Sequence, residues 1–291
     1  GNISASGDFG KGVVLTVSDF NKSTITGNIT TAGENGWGIL FEGDSDSNTT
    51  TIIGNIDTQG LNSYGIFLEN GDSNTINVTG NITTITNGSE GIYMINGGGN
   101  TINLAGNIST TGTASYGIFF DRNNHSNTTN ITGNITTTAD FTHGIYLVDS
   151  DNNTFELNGD IDISGIDAYA IFNELSSQGN SFVIDGLVKK SDNLDNSAYA
   201  LYNFGGINNL TLESSAGITA TASDTLAYGV RNQDSATITS FTNGGIIKAI
   251  ASNRQAYGIS NYNLSNITEL TNSGTITAQA GSTARGISNH T

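Results

Sequence analysis

Acidic side chains recur at one position of a repeating pattern in this chain of 291 residues. Successive repeats carry Glu42, Glu69, Ile95, Asp121, Val148 and Glu174 there. If each repeat adds one strand to a parallel sheet, Glu42 and Glu69 lie about 4.8 Å apart, which is close enough for the carboxyl pair of a retaining glycosidase. Such a protein would cleave a polysaccharide, with Glu42, Glu69 and Asp121 as its acids.

The rest of the sequence offers these acids little catalytic support. No column of Arg, Lys or His flanks them, and a solvated rim of acids explains the same residues. The histidines His125, His143 and His290 lie far apart, and His143 stands where other repeats have Tyr116 and Tyr169. No Ser-His-Asp, His-Glu-x-x-His or phosphate-loop pattern occurs. We therefore predict no enzyme activity, no catalytic residue and no cofactor.

Two acidic, asparagine-rich segments are candidates for calcium loops, because hard cations take oxygen ligands from Asp and Asn. They are residues 43–48 (Gly-Asp-Ser-Asp-Ser-Asn) and 149–153 (Asp-Ser-Asp-Asn-Asn). Neither has the glycine and distant bidentate Glu of an EF-hand, nor the Gly-Gly-x-Gly-x-Asp pattern of calcium β-rolls. Solvated turns explain both segments better, and we predict no metal site.

An internal repeat must position all of these residues. Gly-Asn-Ile opens a line at Gly1, Gly27, Gly54, Gly80, Gly106 and Gly133, and Gly-Asp-Ile follows at Gly159. Each line also contains an aromatic-Gly-Ile run and a third strand-like run. This period predicts an all-β solenoid, a single-stranded, right-handed parallel β-helix of about 10–11 coils of 26–30 residues with three short strands per coil.

The glycine of the aromatic-Gly-Ile run gives the register of the coils. The column comprises Gly38, Gly65, Gly91, Gly117, Gly144, Ala170, Ala200, Gly229, Gly258 and Gly286. We predict one solenoid over 1–291, with regular coils of about 26–27 residues in 1–185 and longer coils of about 28–31 residues in 186–291. The pattern is interrupted at both ends, so we expect a segment of a longer chain.

Strand alternation assigns side chains to the two faces of each sheet. In residues 64–69, it places Tyr64, Ile66 and Leu68 inside and leaves Gly65, Phe67 and Glu69 outside. Further inward columns comprise Ile29, Ile56, Ile82, Ile108, Ile135 and Ile161, and the pairs Ile76 with Val78, Ile102 with Leu104, Phe155 with Leu157 and Phe182 with Ile184.

The asparagine after each opening glycine forms another column: Asn2, Asn28, Asn55, Asn81, Asn107 and Asn134. Asn tolerates a positive φ and bonds its own backbone in turns. We predict that these residues adopt a positive φ and that their amides form a ladder along the rod.

A column of large side chains lies two positions beyond the glycine column. It comprises Leu40, Phe67, Tyr93, Phe119, Tyr146, Phe172 and Tyr202, and it ends where the position becomes Arg231, Ser260 and Ser288. If alternation holds, the rings form an outward stripe beside a flat strip of glycine, and a partner should cover it along the first seven coils. If alternation breaks, the rings point inward as an internal ladder. The sequence leaves both interpretations open.

Composition narrows the range of partners. The net charge of −17 repels DNA, RNA and anionic bilayers, so we predict no nucleic-acid binding. The chain has no cysteine and therefore no disulfide, and no apolar run approaches the about 18 residues of a membrane span. We expect no membrane insertion of this segment.

Lines such as residues 272–278 (Asn-Ser-Gly-Thr-Ile-Thr-Ala) followed by residues 284–289 (Ala-Arg-Gly-Ile-Ser-Asn) resemble the β-helical passenger repeats of autotransporters of diderm bacteria. The resemblance covers essentially the whole chain and implies a secreted rod on the cell surface, commonly an adhesin. No translocator barrel or signal peptide accompanies the repeats.

These observations together predict a non-enzymatic, extracellular β-helical rod, a segment of an adhesin or surface fibre of a diderm bacterium. It would act through repeated-surface contacts, with another copy of itself, a host or cell-surface protein, or a glycan as partner. Two alternatives stay open: a structural filament subunit that stacks head to tail, and a polysaccharide-binding or polysaccharide-cleaving β-helix.

Overall fold

A computed structural model describes residues 1–192 and 197–290, and the predicted fold class is confirmed within them. All regular structure there is β, arranged as a parallel solenoid with three strands per coil. The described residues contain no helix that could cross a membrane. Residues 193–196 and Thr291, which the predicted solenoid included, lie outside the described residues.

The strands are short and follow one another at regular intervals. Those of the first half are β1 (Ile3–Ala5), β2 (Lys11–Thr16), β3 (Lys22–Thr26), β4 (Ile29–Thr31), β5 (Trp37–Glu42), β6 (Thr49–Ile53), β7 (Ile56–Thr58), β8 (Ile66–Glu69), β9 (Thr75–Thr79), β10 (Ile82–Thr84), β11 (Ile92–Ile95), β12 (Thr101–Ala105), β13 (Ile108–Thr110), β14 (Ile118–His125), β15 (Thr128–Thr132) and β16 (Ile135–Thr137). Those of the second half are β17 (His143–Asp151), β18 (Thr154–Asn158), β19 (Ile161–Ser164), β20 (Tyr169–Asn173), β21 (Asn180–Ile184), β22 (Leu187–Asp192), β23 (Ala198–Asn203), β24 (Gly206–Leu212), β25 (Gly217–Ala222), β26 (Ala227–Gln233), β27 (Thr237–Asn243), β28 (Ile246–Ala251), β29 (Gln255–Tyr262), β30 (Asn266–Asn272), β31 (Thr275–Ala280) and β32 (Thr283–His290).

Every third strand belongs to the same sheet. Sheet A runs from β1 to β31 with 11 strands, sheet B from β2 to β32 with 11, and sheet C from β3 to β30 with 10. Neighbouring strands pair in parallel, so Ile82 of sheet A lies between Ile56 and Ile108. Val188 pairs with Ile218, which is a longer step along the chain than the step from Ile82 to Ile108. The coil therefore lengthens in the second half while the sheet continues.

Residue type explains why these segments form strands. β-branched Ile and Thr favour the extended backbone, and alternate positions of each strand supply the apolar side chains of the interior. In β9, Ile76 and Val78 are buried while Thr75 and Asn77 are partly exposed. The predicted isoleucine column from Ile29 to Ile161 is at most 1% exposed and lies in one continuous core.

Strict alternation fails at the start of the sheet B strands, and the predicted inward placement of Tyr64 is wrong. The Tyr64 ring packs on Phe67 at 5.2 Å, on the outer face of sheet B. Gly65 faces inward instead, because a Cβ built there would lie 2.3 Å from Ile82 Cγ2. Ile66 also faces inward. Two successive residues therefore face the core, and the glycine column is needed inside the coil rather than on a flat outer strip.

The turns before the sheet A strands β4, β7, β10, β13 and β16 contain a residue with positive φ, but the prediction that the asparagine adopts it is wrong. The preceding glycine takes the strained conformation, with φ of 153° at Gly54 and 144° at Gly80. The asparagine ladder itself is confirmed in another form, because Asn28 Oδ1 accepts the N–H of Asn55 at 2.9 Å and Asn55 Oδ1 accepts that of Asn81. Each side chain thus caps the next coil rather than its own backbone.

Candidate functional site: the outer face of sheet B

Two columns of large side chains run side by side along the outer face of sheet B. The first column comprises Trp37, Tyr64, Glu90, Tyr116, His143, Tyr169, Tyr199, Tyr228, Tyr257 and Arg285, and the second comprises Leu40, Phe67, Tyr93, Phe119, Tyr146, Phe172, Tyr202, Arg231, Ser260 and Ser288. We call the rings from Tyr64 to Tyr202 in these two columns the ring stripe.

The rings of the stripe stack along the rod axis. In the second column, Phe119 lies 5.1 Å from Tyr93 and 5.0 Å from Tyr146, with interplanar angles of 9° in both pairs. Rings of the first column meet them edge to face, as Tyr116 meets Phe119 at 5.0 Å and 66°. Because the ring faces cover one another, the stripe presents ring edges and hydroxyl groups to its surroundings.

Of the two interpretations of this column, the structure supports the outward stripe. Phe67 and the rings that follow it lie outside the core cluster, and the rings from Tyr93 to Tyr202 are partly exposed. The stripe is covered at its N-terminal end, where Leu40 is fully buried and Phe67 is 8% exposed. The expected end of the aromatic surface after Tyr202 holds for the second column only, because Tyr228 and Tyr257 extend the first column.

The predicted carboxylates lie on the outer face of sheet B, and those of Glu42 and Asp121 are held by different partners. Glu42 accepts a hydrogen bond from Thr16 Oγ1 at 2.8 Å and lies 3.9 Å from Lys11 Nζ. Lys11 was not predicted from the sequence, because it is a single residue and not part of a repeated column of cations. Asp121 is separated from Glu69 by Ile95 and contacts Arg122 Nε at 3.1 Å. The column is therefore a discontinuous rim of acids, interrupted by apolar side chains.

Two tyrosine hydroxyls of the stripe donate to this rim. Tyr93 Oη donates to Asp121 at 3.3 Å, and Tyr146 Oη donates to Glu174 at 2.5 Å. Burial and then the neighbouring carboxylate raise the pKa of each of these two tyrosines, so the hydroxyls stay protonated and remain donors. These bonds join the ring stripe to the acids of neighbouring coils.

The three histidines are not brought together. His143 is buried in the first column, where its ring stacks 5.1 Å from Tyr116 and 4.9 Å from Tyr169. Its Nδ1 accepts the N–H of Tyr169 at 3.1 Å, and burial lowers the pKa of His143 to about 3. His143 is thus a neutral member of the ring column. His125 lies against Gly98 of the preceding coil, and His290 stacks on Tyr262.

One aspartate of each of the two predicted turn segments accepts a backbone hydrogen bond from the next coil. Asp46 Oδ1 accepts the N–H of Asp72 at 2.7 Å, and Asp151 Oδ1 accepts that of Gln178 at 2.7 Å. Over residues 1–192 and 197–290, no group of three or more His, Cys, Asp or Glu side chains is arranged to hold a metal ion. These acids act as caps between coils.

A ladder of buried asparagines, which the sequence did not lead us to predict, runs along the rod at the start of the sheet C strands. The buried asparagine ladder comprises Asn48, Asn74, Asn100, Asn127, Asn153 and Asn180, each at most 1% exposed. Each Oδ1 accepts the backbone N–H of the preceding member, at 2.8 Å from Asn74 to Asn100 and from Asn100 to Asn127. The signal that could have revealed it is the recurrence of Asn two residues before the first inward side chain of the sheet C strand, which is Thr50, Ile76, Ile102, Thr129, Phe155 or Phe182.

Glu90 is the unusual member of the first column. Its side chain is 6% exposed between the positions of Tyr64 and Tyr116, and burial raises the pKa of Glu90 from 4.5 to about 8. The uncharged carboxyl group fits between the rings. The carboxylate loses its hydration there, and no cationic side chain of the described residues offsets that loss at Glu90. Glu90 therefore makes the outer face of sheet B sensitive to pH.

This burial predicts a specific loss of stability with rising pH. Because the folded-state pKa of Glu90 lies above its unfolded value, its contribution is fully present below pH 4.5 and is lost as the pH rises through about 8. Each pKa unit corresponds to about 1.4 kcal/mol, so the full loss over this range is on the order of 5 kcal/mol. We expect Glu90→Gln to raise the urea midpoint above wild type at pH 8 but to leave it close to wild type at pH 4.5.

His143 also makes the stability depend on pH, in the opposite direction to Glu90. The difference in urea midpoint between wild type and Glu90→Gln removes this effect, because both proteins contain His143. The depressed pKa of His143 gives stability that is present above pH 6.5 and lost as the pH falls toward 3. This loss is common to wild type and Glu90→Gln. Parallel midpoint curves for the two proteins from pH 4.5 to 9 would show that Glu90 is not buried between the rings.

Comparisons with protein-family profiles, with curated proteins and with solved structures find no match for this chain. The fold and its outer surface are therefore the basis for any function assigned to it. The fold defines a parallel β-solenoid, a class in which each coil contacts its neighbours and function resides on the repeated faces.

Proposed function

We propose that this chain is a segment of a non-enzymatic, extracellular rod, an autotransporter-like adhesin or surface fibre. It acts through contacts repeated along its outer surface, above all with other copies of itself. The observation that carries the proposal is the ring stripe, an aromatic surface that repeats at every coil from Tyr64 to Tyr202.

The geometry of the stripe favours a second copy as its partner. Successive rings of the second column stand 5.0–5.6 Å apart, so a surface with the same axial spacing matches them rung for rung. Another copy supplies that spacing, and pairing two identical stripes gives a self-complementary contact. Each added coil contributes the same small contact, so weak interactions combine over the length of the rod.

The surroundings of the acids support a non-enzymatic role. Glu42 is held by Thr16 and Lys11, Asp121 by Tyr93 and Arg122, and Glu174 by Tyr146. Glu42, Asp121 and Glu174 thus have separate partners, and apolar Ile95 or Val148 separates Asp121 from the next acid on either side. This arrangement suits a stabilising rim better than an acid pair acting on one glycosidic bond.

The proposal is tested by weakening the stripe at its centre. Phe119→Ser removes one ring between Tyr93 and Tyr146, and we expect the self-association constant from sedimentation velocity to fall by about tenfold, because buried aromatic side chains dominate protein contacts. Phe141→Ser is the matched control, since Phe141 is 52% exposed in a turn outside the stripe. It should associate as wild type does.

Circular dichroism of both variants establishes that they keep the β-solenoid. Equal association of Phe119→Ser and wild type, with both folded, would contradict a role for the stripe. A wild-type chain that stays monomeric at every concentration would contradict self-association itself.

A further inference from the structure

A hollow opens on the outer face of sheet B beyond the ring stripe, in the last three described coils. There the second column changes from rings to Arg231, Ser260 and Ser288. Because serine side chains are short, the surface is lower there than at the ring columns on either side. The hollow has a volume of about 270 Å³ and is lined by Tyr228, Arg231, Tyr257, Ser260, Tyr262, Arg285, Ser288 and His290.

The serines form the floor and stacked rings form the walls. Ser260 is 3% exposed and Ser288 is 9% exposed. Tyr228 and Tyr257 stack 5.0 Å apart on one side of the floor. Tyr262 and His290 stack 5.3 Å apart on the other side. Because these rings are fixed by mutual stacking, the hollow is shaped before any ligand arrives.

Arg231 is held rigidly in this hollow. Its guanidinium carbon lies 4.6 Å from the Tyr228 ring centre and 4.4 Å from that of Tyr262. Its Nε donates to Gln233 Oε1 at 2.9 Å and its Nη1 to Ser260 Oγ at 3.0 Å. A guanidinium has five N–H donors, so Arg231 keeps further donors for a ligand.

Arg285 adds a second positive charge, 5.7 Å from the Tyr257 ring centre. Within residues 1–192 and 197–290, neither arginine forms a salt bridge. Asp234, an acid of the same coil as Arg231, accepts instead from Gln233 and Asn263. Asp234 still acts electrostatically on Arg231, but no carboxylate of the described residues makes a salt bridge to either of the two guanidinium groups that face the hollow.

The charge of the chain reverses at this place. Residues 227–291 contain four Lys or Arg against two acids, whereas residues 1–226 contain five against 24. The hollow is therefore the part of a strongly acidic rod to which an anion is drawn, since the acidic coils before it repel a negative charge.

We propose that this hollow binds an acidic saccharide through the carboxylate of a uronic acid residue. Arginine pairs with a carboxylate through two parallel N–H donors, which fits Arg231 and Arg285. The hydroxyls of Ser260 and Ser288 and the His290 ring supply hydrogen-bond partners for sugar hydroxyls. The volume of about 270 Å³ suits a single sugar residue rather than a larger ligand. This site goes beyond the self-association proposed for the ring stripe and does not depend on it.

The test is a titration of the purified chain with methyl glucuronoside, followed by NMR chemical shifts. We expect saturable binding with a Kd of about 1 mM or lower, and no binding of methyl glucoside, which has the same ring without the carboxylate. Arg285→Gln, which alters an exposed side chain, should weaken binding by about tenfold, the effect of losing a charge-assisted hydrogen bond. Arg231→Gln should weaken it at least as much.

Arg254→Gln is the matched control, because Arg254 is an exposed arginine of the same coils outside the hollow. It should bind as wild type does, and urea midpoints should show that all three variants fold. Equal affinity for the glucoside, or equal loss in Arg254→Gln, would overturn the proposal. Inorganic sulfate or a glutamate-rich peptide binding as tightly as the glucuronoside would overturn the assignment to a saccharide.

Discussion

Replacing Asn100 with alanine is expected to lower the free energy of unfolding substantially, because two buried backbone groups lose their partner at a cost of about 1–3 kcal/mol each. Asn100 Oδ1 accepts the N–H of Asn74 at 2.8 Å, and Asn100 Nδ2 donates to the carbonyl of Gly71 at 2.8 Å. All three residues are buried, so water does not replace the missing amide. The variant should therefore unfold at a much lower urea concentration than wild type.

The matched control for this variant is Asn107→Ala in the exposed asparagine ladder. Asn107 Oδ1 accepts the N–H of Asn134 at 2.8 Å, the same kind of bond between coils, but water can replace it at the surface. We expect a loss below about 1 kcal/mol, measured by urea unfolding of both variants. Equal losses would contradict the conclusion that burial of the ladder, rather than the number of its bonds, stabilises the solenoid.

Replacing Gly65 with alanine should have an effect of similar size from a different cause. A Cβ at this position would lie 2.3 Å from Ile82 Cγ2 and 2.6 Å from the carbonyl oxygen of Gly91. A change of rotamer cannot move the backbone carbonyl of Gly91, so the coils of Gly65 and Gly91 would have to move apart. The hydrogen bonds of the three sheets fix the spacing of these coils and oppose that movement. Overpacking of a core typically costs about 1–3 kcal/mol, and we expect a loss at or above the upper end.

Gly286→Ala tests whether Gly65→Ala destabilises the solenoid through the steric clash of the new Cβ or through the loss of glycine as such. Gly286 belongs to the same column, but the atom nearest its built Cβ is Ile276 O at 3.7 Å, an ordinary contact. Its free energy of unfolding, measured by urea denaturation, should stay within about 0.5 kcal/mol of wild type, as is typical of a tolerated substitution. If Gly286→Ala were as harmful as Gly65→Ala, the inward crowding at Gly65 would not be the reason for the glycine column.

The period of the sequence was sufficient to predict the architecture. Ile56, Ile82 and Ile108 recur at one constant step along the chain, and in the structure they are paired neighbours in sheet A. Each coil buries its apolar side chains only against the coils beside it, so the spacing along the chain becomes the register of the sheet. The interior columns were predictable for the same reason.

Side-chain direction at the start of sheet B was not predictable from alternation. Gly65 and Ile66 both face inward, and Tyr64 is thereby turned to the outside. Such a break depends on how the chain bends into the sheet, which a pattern of period 2 does not record. Alternation gave the outer position of Phe67 as one of two alternatives. That alternative is correct because alternation holds again after Ile66, where Phe67 lies.

Burial of the asparagines was hidden by composition. Asn74 and Asn81 recur with the same period, yet Asn74 is 1% exposed while Asn81 is at the surface. In a chain this rich in asparagine, the column that stands two residues before the first inward side chain of sheet C is hard to distinguish from the exposed columns of the same period. The difference arises from the cross-section of the coil, where the Asn74 side chain is buried and its Nδ2 donates to the carbonyl of Ser45 in the preceding coil.

Side-by-side association of the solenoid through the ring stripe is tested most directly by small-angle X-ray scattering over a range of concentrations. Eleven rungs at about 4.8 Å give a monomer about 50 Å long. We predict that the cross-section grows with concentration while this length stays constant. Growth in length at constant cross-section, or a profile that does not change at any concentration, would contradict lateral association.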